Sequence, residues 1–342
     1  MAAAAIVIGG AAAAPAAELS MLTWEGYADA SFVKDFEAST ACRVTATYVG
    51  SNDDFAPKLA AGGGVYDIIT PSIDTIGLMR MGGFVEPIDL ARLPHWQEIY
   101  GRFRDNADVS AGGAVWSVPL VWGSISLMYR QDKVSPPPDS IAVLFDPRYK
   151  GRIAMWDDKS SLYWAARLLG FRDIYDLTDD QLAKVQAKLI EQKPLLRKYW
   201  ATAGELTELY ANQEVWLSNT WTGFQIKEIG KLGKSIPLVE FDPKEKSEGW
   251  MDSMQIVKGS PNRDCAYKWL DYMTAAKGQC GIAEATGYFP VNPAAVKACL
   301  SADELKTRHV GDIGFVSSLV MWQMPKRLDK YIAVWNAVKA AP

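Results

Sequence analysis

The chain has 342 residues, of which 49% are hydrophobic and 22% charged, with a formal net charge of −4. This is globular composition at a length that exceeds one ordinary core and suits two lobes, and it lacks the polar, highly charged stretches of a disordered chain. The near-neutral balance also argues against nucleic acid as a partner, which demands a basic patch.

Residues 1–17, MAAAAIVIGGAAAAPAA, are small and apolar. They read as the hydrophobic and cleavage regions of a signal peptide, with Ala14-Pro15-Ala16 in the A-x-A form. A basic start is missing, since the first basic residue is Lys34. The alternative is an alanine-rich tail. No later segment is apolar for long enough to span a bilayer, so an exported, soluble, periplasmic protein is expected. A strand is predicted over 19–24, a helix over 30–39 and a strand over 43–49. A helix over 52–61 ends at the glycines 62–64. A strand over 66–70 leads into a helix running to residue 81, with Ser72 as its N-cap. Such strand–helix alternation predicts an α/β domain with a largely parallel sheet.

Residues 116–129, WSVPLVWGSISLMY, read as one long extended stretch, and Pro136-Pro137-Pro138 as a loop. Alternation then restarts, with a strand over 152–156, helices over 162–169 and 179–191, and a strand over 215–218. A strand over 251–257, an amphipathic helix over 263–275 and helices over 315–324 and 327–340 complete the reading. The fold class is α/β with two lobes, each a mainly parallel sheet flanked by helices, joined by extended crossings. Ligands of open α/β sheets sit beyond the carboxyl ends of strands. Trp24, Ser72 and Asp158 fall where predicted strands end, which places them at a cleft between the lobes.

Cys42, Cys265, Cys280 and Cys299 show neither C-x-x-C nor zinc spacing. Export permits disulfides, and Cys280 and Cys299, flanking the turn-rich GYFPVNP, are the favoured pair. Four buried thiols are the alternative. His95 and His309 are the only histidines, and neither stands in a catalytic context. No metal or cofactor is expected.

Five segments carry a resemblance: TWEGY at 23–27, YDIITPS at 66–72, SVPLVWG at 117–123, WMDSMQI at 250–256 and GYFPVN at 287–292. In this order and spacing they resemble the spermidine/putrescine-binding proteins of bacterial ABC importers. The resemblance implies two lobes of discontinuous chain, lobe I from 18–119 plus 254–302 and lobe II from 120–253 plus 303–342. It also implies a ligand set. Trp24 and Tyr27 stand at a cleft aromatic pair and Ser72 at a cleft serine. Asp158 stands at a carboxylate that holds an amine, and Trp221 and Trp250 at two aromatics flanking the ligand's methylenes. Asp252 stands at the central carboxylate, Tyr288 at a cleft tyrosine and Gln323 at a polar contact from the last helices. Stacked tryptophans suit methylenes and cations, and carboxylates suit ammonium groups.

Two positions depart from the pattern. Ser161 replaces a Glu three residues after Asp158, and Asp74 replaces a Tyr two residues after Ser72. Several of these residues also have a plainer role. Trp24 and Trp250 could be core, Asp252 a structural hydrogen-bonding group, Asp74 a first-turn helix acid, and Ser161 ordinary helix surface.

The expected function is therefore that of a monomeric ABC-importer binding protein, not an enzyme. It would deliver a polyamine, putrescine- or spermidine-like, or another small amine to a membrane permease. With Asp158 and Asp252 as its two acids, a diamine is expected to bind at least as well as spermidine, unless Asp74 supplies a third. A sugar, an anion or a ferric complex on the same architecture is the alternative, and a hydrolase built on Asp158 and Asp252 a further one.

Overall fold

The computed structural model describes residues 17–62, 65–302 and 314–342. The proposed leader up to Ala16, the last two glycines of 62–64 and residues 303–313, where the expected last segment of lobe II begins, lie outside the described residues. β1 (Ala17–Thr23) pairs in parallel with β2 (Cys42–Tyr48) on one side and β3 (Ile68–Ile69) on the other. Asp29 starts the connecting helix Ala30–Thr40 by accepting from Ser31 N at 2.8 Å. That helix buries Phe32, Val33 and Phe36, as its apolar spacing demands.

A short hairpin, β4 (Ser110–Ala111) and β5 (Ala114–Val115), precedes β6 (Val118–Arg130), a thirteen-residue strand buried at every position. β7 (Ile153–Trp156), β8 (Leu196–Trp200) and β9 (Leu217–Trp221) make the second parallel group, in which β7 pairs with both neighbours. Thr178 and Gln181 form a capping box on the helix Asp179–Gln192. β10 (Leu238–Phe241) lies antiparallel to the end of β6. β11 (Glu248–Ile256), also wholly buried, runs antiparallel to β6. β12 (Phe289–Pro290) pairs with β6, and β13 (Val320–Met321) with β11.

The sheet order is β2-β1-β3-β11-β6-β9-β7-β8. Each end is parallel, and the long antiparallel pair β6–β11 forms the spine between them. A strand pair buried on both faces reads as a continuous apolar run, which is why 116–129 looks extended but not alternating. The spine is broken once. Asp252 faces Val121 but Ser253 faces Pro119, so the register slips there. Beyond the slip Ser253 N donates to Pro71 O, and β11 pairs with β3. A bulge of this kind bends a strand and re-aims a side chain.

Two disulfides, Cys42–Cys265 and Cys280–Cys299, take up all four cysteines. The second is the favoured pair of the sequence reading, and the first was not foreseen. The first ties β2 to the helix Arg263–Thr274, and the second ties the helix Ala276–Thr286 to the helix Pro293–Cys299.

One predicted helix is absent. Over 315–324 there is a single 3-10 turn, Phe315–Ser318, followed by β13. Val320 and Met321 are drawn into extended pairing with Glu248 and Gly249, which outweighs a local helical spacing. Ser161 is another correction: it is fully buried, with its hydroxyl donated to Trp156 O at 2.7 Å.

Candidate functional site

The bulge points Asp252 toward the ends of β1, β7 and β9. Trp250, two residues earlier on the same face of β11, points the same way. Trp24 and Tyr27 follow β1, Ser72 follows β3, Trp156 and Trp221 end β7 and β9, and Trp322 follows β13. Tyr288 enters from the helix Ala276–Thr286 after Gly287, whose φ of 80° turns the chain there. With Ile125 these residues line one cavity.

Five tryptophans wall the cavity. Trp156 stacks on Trp322 with centroids 6.0 Å apart and meets Trp221 edge-on at 5.2 Å. Trp24 meets Trp221 edge-on at 5.7 Å, and Trp250 meets Tyr288 at 4.8 Å. Polar anchors fix the rings. Trp24 Nε1 donates to Thr70 O at 2.8 Å, Trp156 Nε1 to Gly50 O at 2.9 Å and Trp322 Nε1 to Glu248 Oε2 at 2.7 Å. Trp250 lies across Gly123, where a Cβ would stand 2.6 Å from the ring, so only glycine admits it. Trp250 Nε1 is buried and has no hydrogen-bond partner among the described residues.

The polar side of the cavity is centred on Asp252. Tyr27 OH donates to its Oδ2, and Ser72 Oγ donates to its Oδ1 at 2.5 Å. Ser72 does occupy the N-cap position of the helix Ile73–Met81, but its hydroxyl is committed to Asp252 rather than to the helix. Asp252 forms no ion pair among the described residues. Burial pushes its carboxyl up to about 7, against the pull of the Ser72 and Tyr27 hydrogen bonds, and the Asp74 charge adds to the rise. Burial, reinforced by the Asp252 charge, holds Tyr27 and Tyr288 neutral, far above their ordinary range.

Seven of the sequence candidates therefore meet in one place: Trp24, Tyr27, Ser72, Trp221, Trp250, Asp252 and Tyr288. Three stand elsewhere. Asp158 does not line the cavity; it accepts from Ser51 Oγ at 2.7 Å, Asn52 N at 3.3 Å and Ser160 N at 2.8 Å. Asp74 is buried at 3.2 Å from the Lys159 ammonium. Gln323 is exposed, and its neighbour Trp322 takes the cavity position. Trp156, Trp322 and Ile125 were missed. Trp156 ends a predicted strand, so the rule that selected Trp24 would have found it. Trp322 was hidden by the helix expected over 315–324.

The family model described as bacterial extracellular solute-binding protein matches residues 31–307. The chain belongs to that family. Among curated relatives, a "Putrescine/cadaverine-binding protein" of Pseudomonas aeruginosa is 27% identical over 309 residues, 85% of this chain and 84% of that one. A "Spermidine/putrescine-binding periplasmic protein" of Escherichia coli is 27% identical over 290 residues, 82% of this chain and 79% of that one. Among solved structures, a "Putative spermidine/putrescine ABC transporter" of Listeria monocytogenes superposes with a TM-score of 0.85 at 25% identity, covering 95% of this chain and 99% of that one. In this solute-binding protein Asp252 is the one carboxylate, among the described residues, that lines the cavity.

Proposed function

We propose that this protein is the periplasmic binding component of an ABC importer and that it holds a small organic amine against Asp252. The observation that carries this reading is the cavity's charge arrangement. Asp252 is a buried carboxylate, oriented by two neutral hydroxyl donors and enclosed by five tryptophans. A buried carboxylate without a counter-charge is unfavourable, and an ammonium group relieves that. The surrounding indole faces attract the same cation and cover its methylenes. The named ligands of the relatives point to the same chemistry. Disulfides suit an exported protein. A hydrolase reading loses support, because its second carboxylate, Asp158, is tied to residues 51 and 52 instead of facing the cavity.

Asp252 and the five tryptophans around it are at most 5% exposed, so entry of a ligand requires the lobes to part. The slip in the spine supplies the point of bending. It falls between residues 119 and 121 on β6 and between 252 and 253 on β11. Lobe I is then 18–119 plus 254–302, and lobe II 120–253 plus 303–342. Closure around the ligand is the form the permease would receive from a monomeric binding protein.

Calorimetric titration with amines, a neutral sugar and a carboxylate tests the ligand class. Binding of amines alone supports the reading, and tight binding of the sugar or the carboxylate with none of the amines overturns it. Scattering with and without ligand tests closure: compaction is expected, and an unchanged radius at saturation removes the hinge.

A further inference from the structure

The sheet path runs from β2 to β8, so these are its two end strands, with six others between them. Yet the residues that follow them meet. Gly50 comes two residues after β2, and Ala201 directly after β8. A Cβ on Gly50 would stand 2.0 Å from Ala201 O, a backbone atom. The φ of Gly50 lies outside the left-handed region, so the close approach, not backbone freedom, requires glycine there. Beside this contact Gly204 N, in the first turn of the helix Ala203–Ala211, donates to Glu25 Oε2 at 2.9 Å. Glu25 comes two residues after β1, so it too reaches from the first parallel group to the second. Resting on the amine reading above, we infer that Gly50 and Glu25 are positioning residues for ligand binding: they seat the first parallel group on residues 201–204 of the second, which closes the cleft and holds Trp156 in the cavity wall.

Three observations converge on this. The two ends of one sheet path come together only when the sheet is bent about its middle, so the contact belongs to the closed form and is lost when the groups part. Gly50 O accepts from Nε1 of the cavity residue Trp156 at 2.9 Å, so the same residue that permits the approach also fixes an indole of the wall. The Glu25 carboxylate meets an N–H at a helix N-terminus, where negative charge is favoured. Neither Gly50 nor Glu25 lines the cavity. Their contacts therefore favour the closed form equally for every ligand, and set how long an amine is held rather than which amine is chosen.

The experiment measures association and dissociation rates of putrescine, spermidine and butylamine on the wild-type protein, Gly50→Ala, Glu25→Ala and the control Gly230→Ala, whose Cβ would meet open space. Gly50→Ala should release each bound amine about tenfold faster, with association close to wild type because encounter uses the open form. Its melting temperature without ligand should stay near wild type, and its scattering radius at saturation should exceed that of wild type. Glu25→Ala should release each amine about threefold faster. The control should match wild type. If Gly50→Ala does not fold, Glu25→Ala carries the same comparison. Dissociation rates unchanged in the variant that folds, or a changed order of preference among the three amines, overturn the positioning role while leaving the amine reading intact. Failure of wild type to bind any of the three overturns both together.

Discussion

Asp252 and Asp74 are both buried aspartates, and burial pushes both up, to about 7 and about 6. Their partners differ. Asp74 has an internal ammonium at 3.2 Å, and Asp252 has only the hydroxyls of Tyr27 and Ser72. Hydroxyl donors orient a carboxylate without neutralising it; a lysine neutralises it. One site is complete without a ligand and the other is prepared for one. The difference teaches that a count of acids in a cleft does not give the charge of the ligand. Each acid must first be checked for an internal partner.

The most severe way to break this comparison is to remove the internal cation. Lys159→Met leaves the buried Asp74 and the half-buried Asp53 without it, and breaking a buried pair such as Lys159–Asp74 costs about 3–5 kcal/mol. A strongly lowered melting temperature without ligand is expected. An unchanged melting temperature would mean that the Lys159–Asp74 pair is solvated and that the contrast with Asp252 is false.

Removing the unpaired acid should act in the opposite sense on stability. A carboxyl raised on folding, from 3.8 to about 7, lowers stability as pH climbs through that interval and no further above it. Asp252→Asn abolishes that penalty, so above neutrality the variant should be at least as stable as wild type. Its amine affinity should fall about ten- to a hundredfold, the equivalent of about 1.5–3 kcal/mol for a hydrogen bond to a charged group. Loss of folding with normal residual binding would make Asp252 structural.

The same carboxyl predicts a pH profile. An amine needs the ionised form, which is the minor form below about 7. Between about pH 8 and about pH 6 affinity should drop by about tenfold. A flat calorimetric profile would show that Asp252 is ionised throughout and that burial does not control it.

Most of the spine, the first parallel group and two strands of the second were legible, because buried strands are apolar runs and their connecting helices show spacing such as Phe32, Val33 and Phe36. The helix Ala276–Thr286 was not, since two internal glycines lower its propensity. Gly281 is there for packing: a Cβ would stand 2.4 Å from Phe32 Cβ. β8 and β10 were missed because neither carries the run of buried apolar residues that marks the central strands. At the site, residue types were legible and partners were not. Asp158 and Asp74 sit in the right region for an amine, but only the fold brings Ser51, Asn52 and Lys159 to them.

The mildest test alters how Asp252 is held and leaves its charge in place. Tyr27→Phe keeps the ring against Tyr288, at 6.1 Å, and deletes the hydroxyl that donates to Oδ2. That hydrogen bond favours the ionised carboxylate, so its loss should raise the Asp252 carboxyl further. The midpoint of the affinity profile should move to higher pH by about one unit, which near neutrality weakens binding by about fivefold. Well above the new midpoint the carboxylate is ionised in both proteins, and affinity should converge on the wild-type value. A deficit that persists there would mean that Tyr27 contacts the amine itself. Its role would then be recognition of the ligand rather than orientation of Asp252.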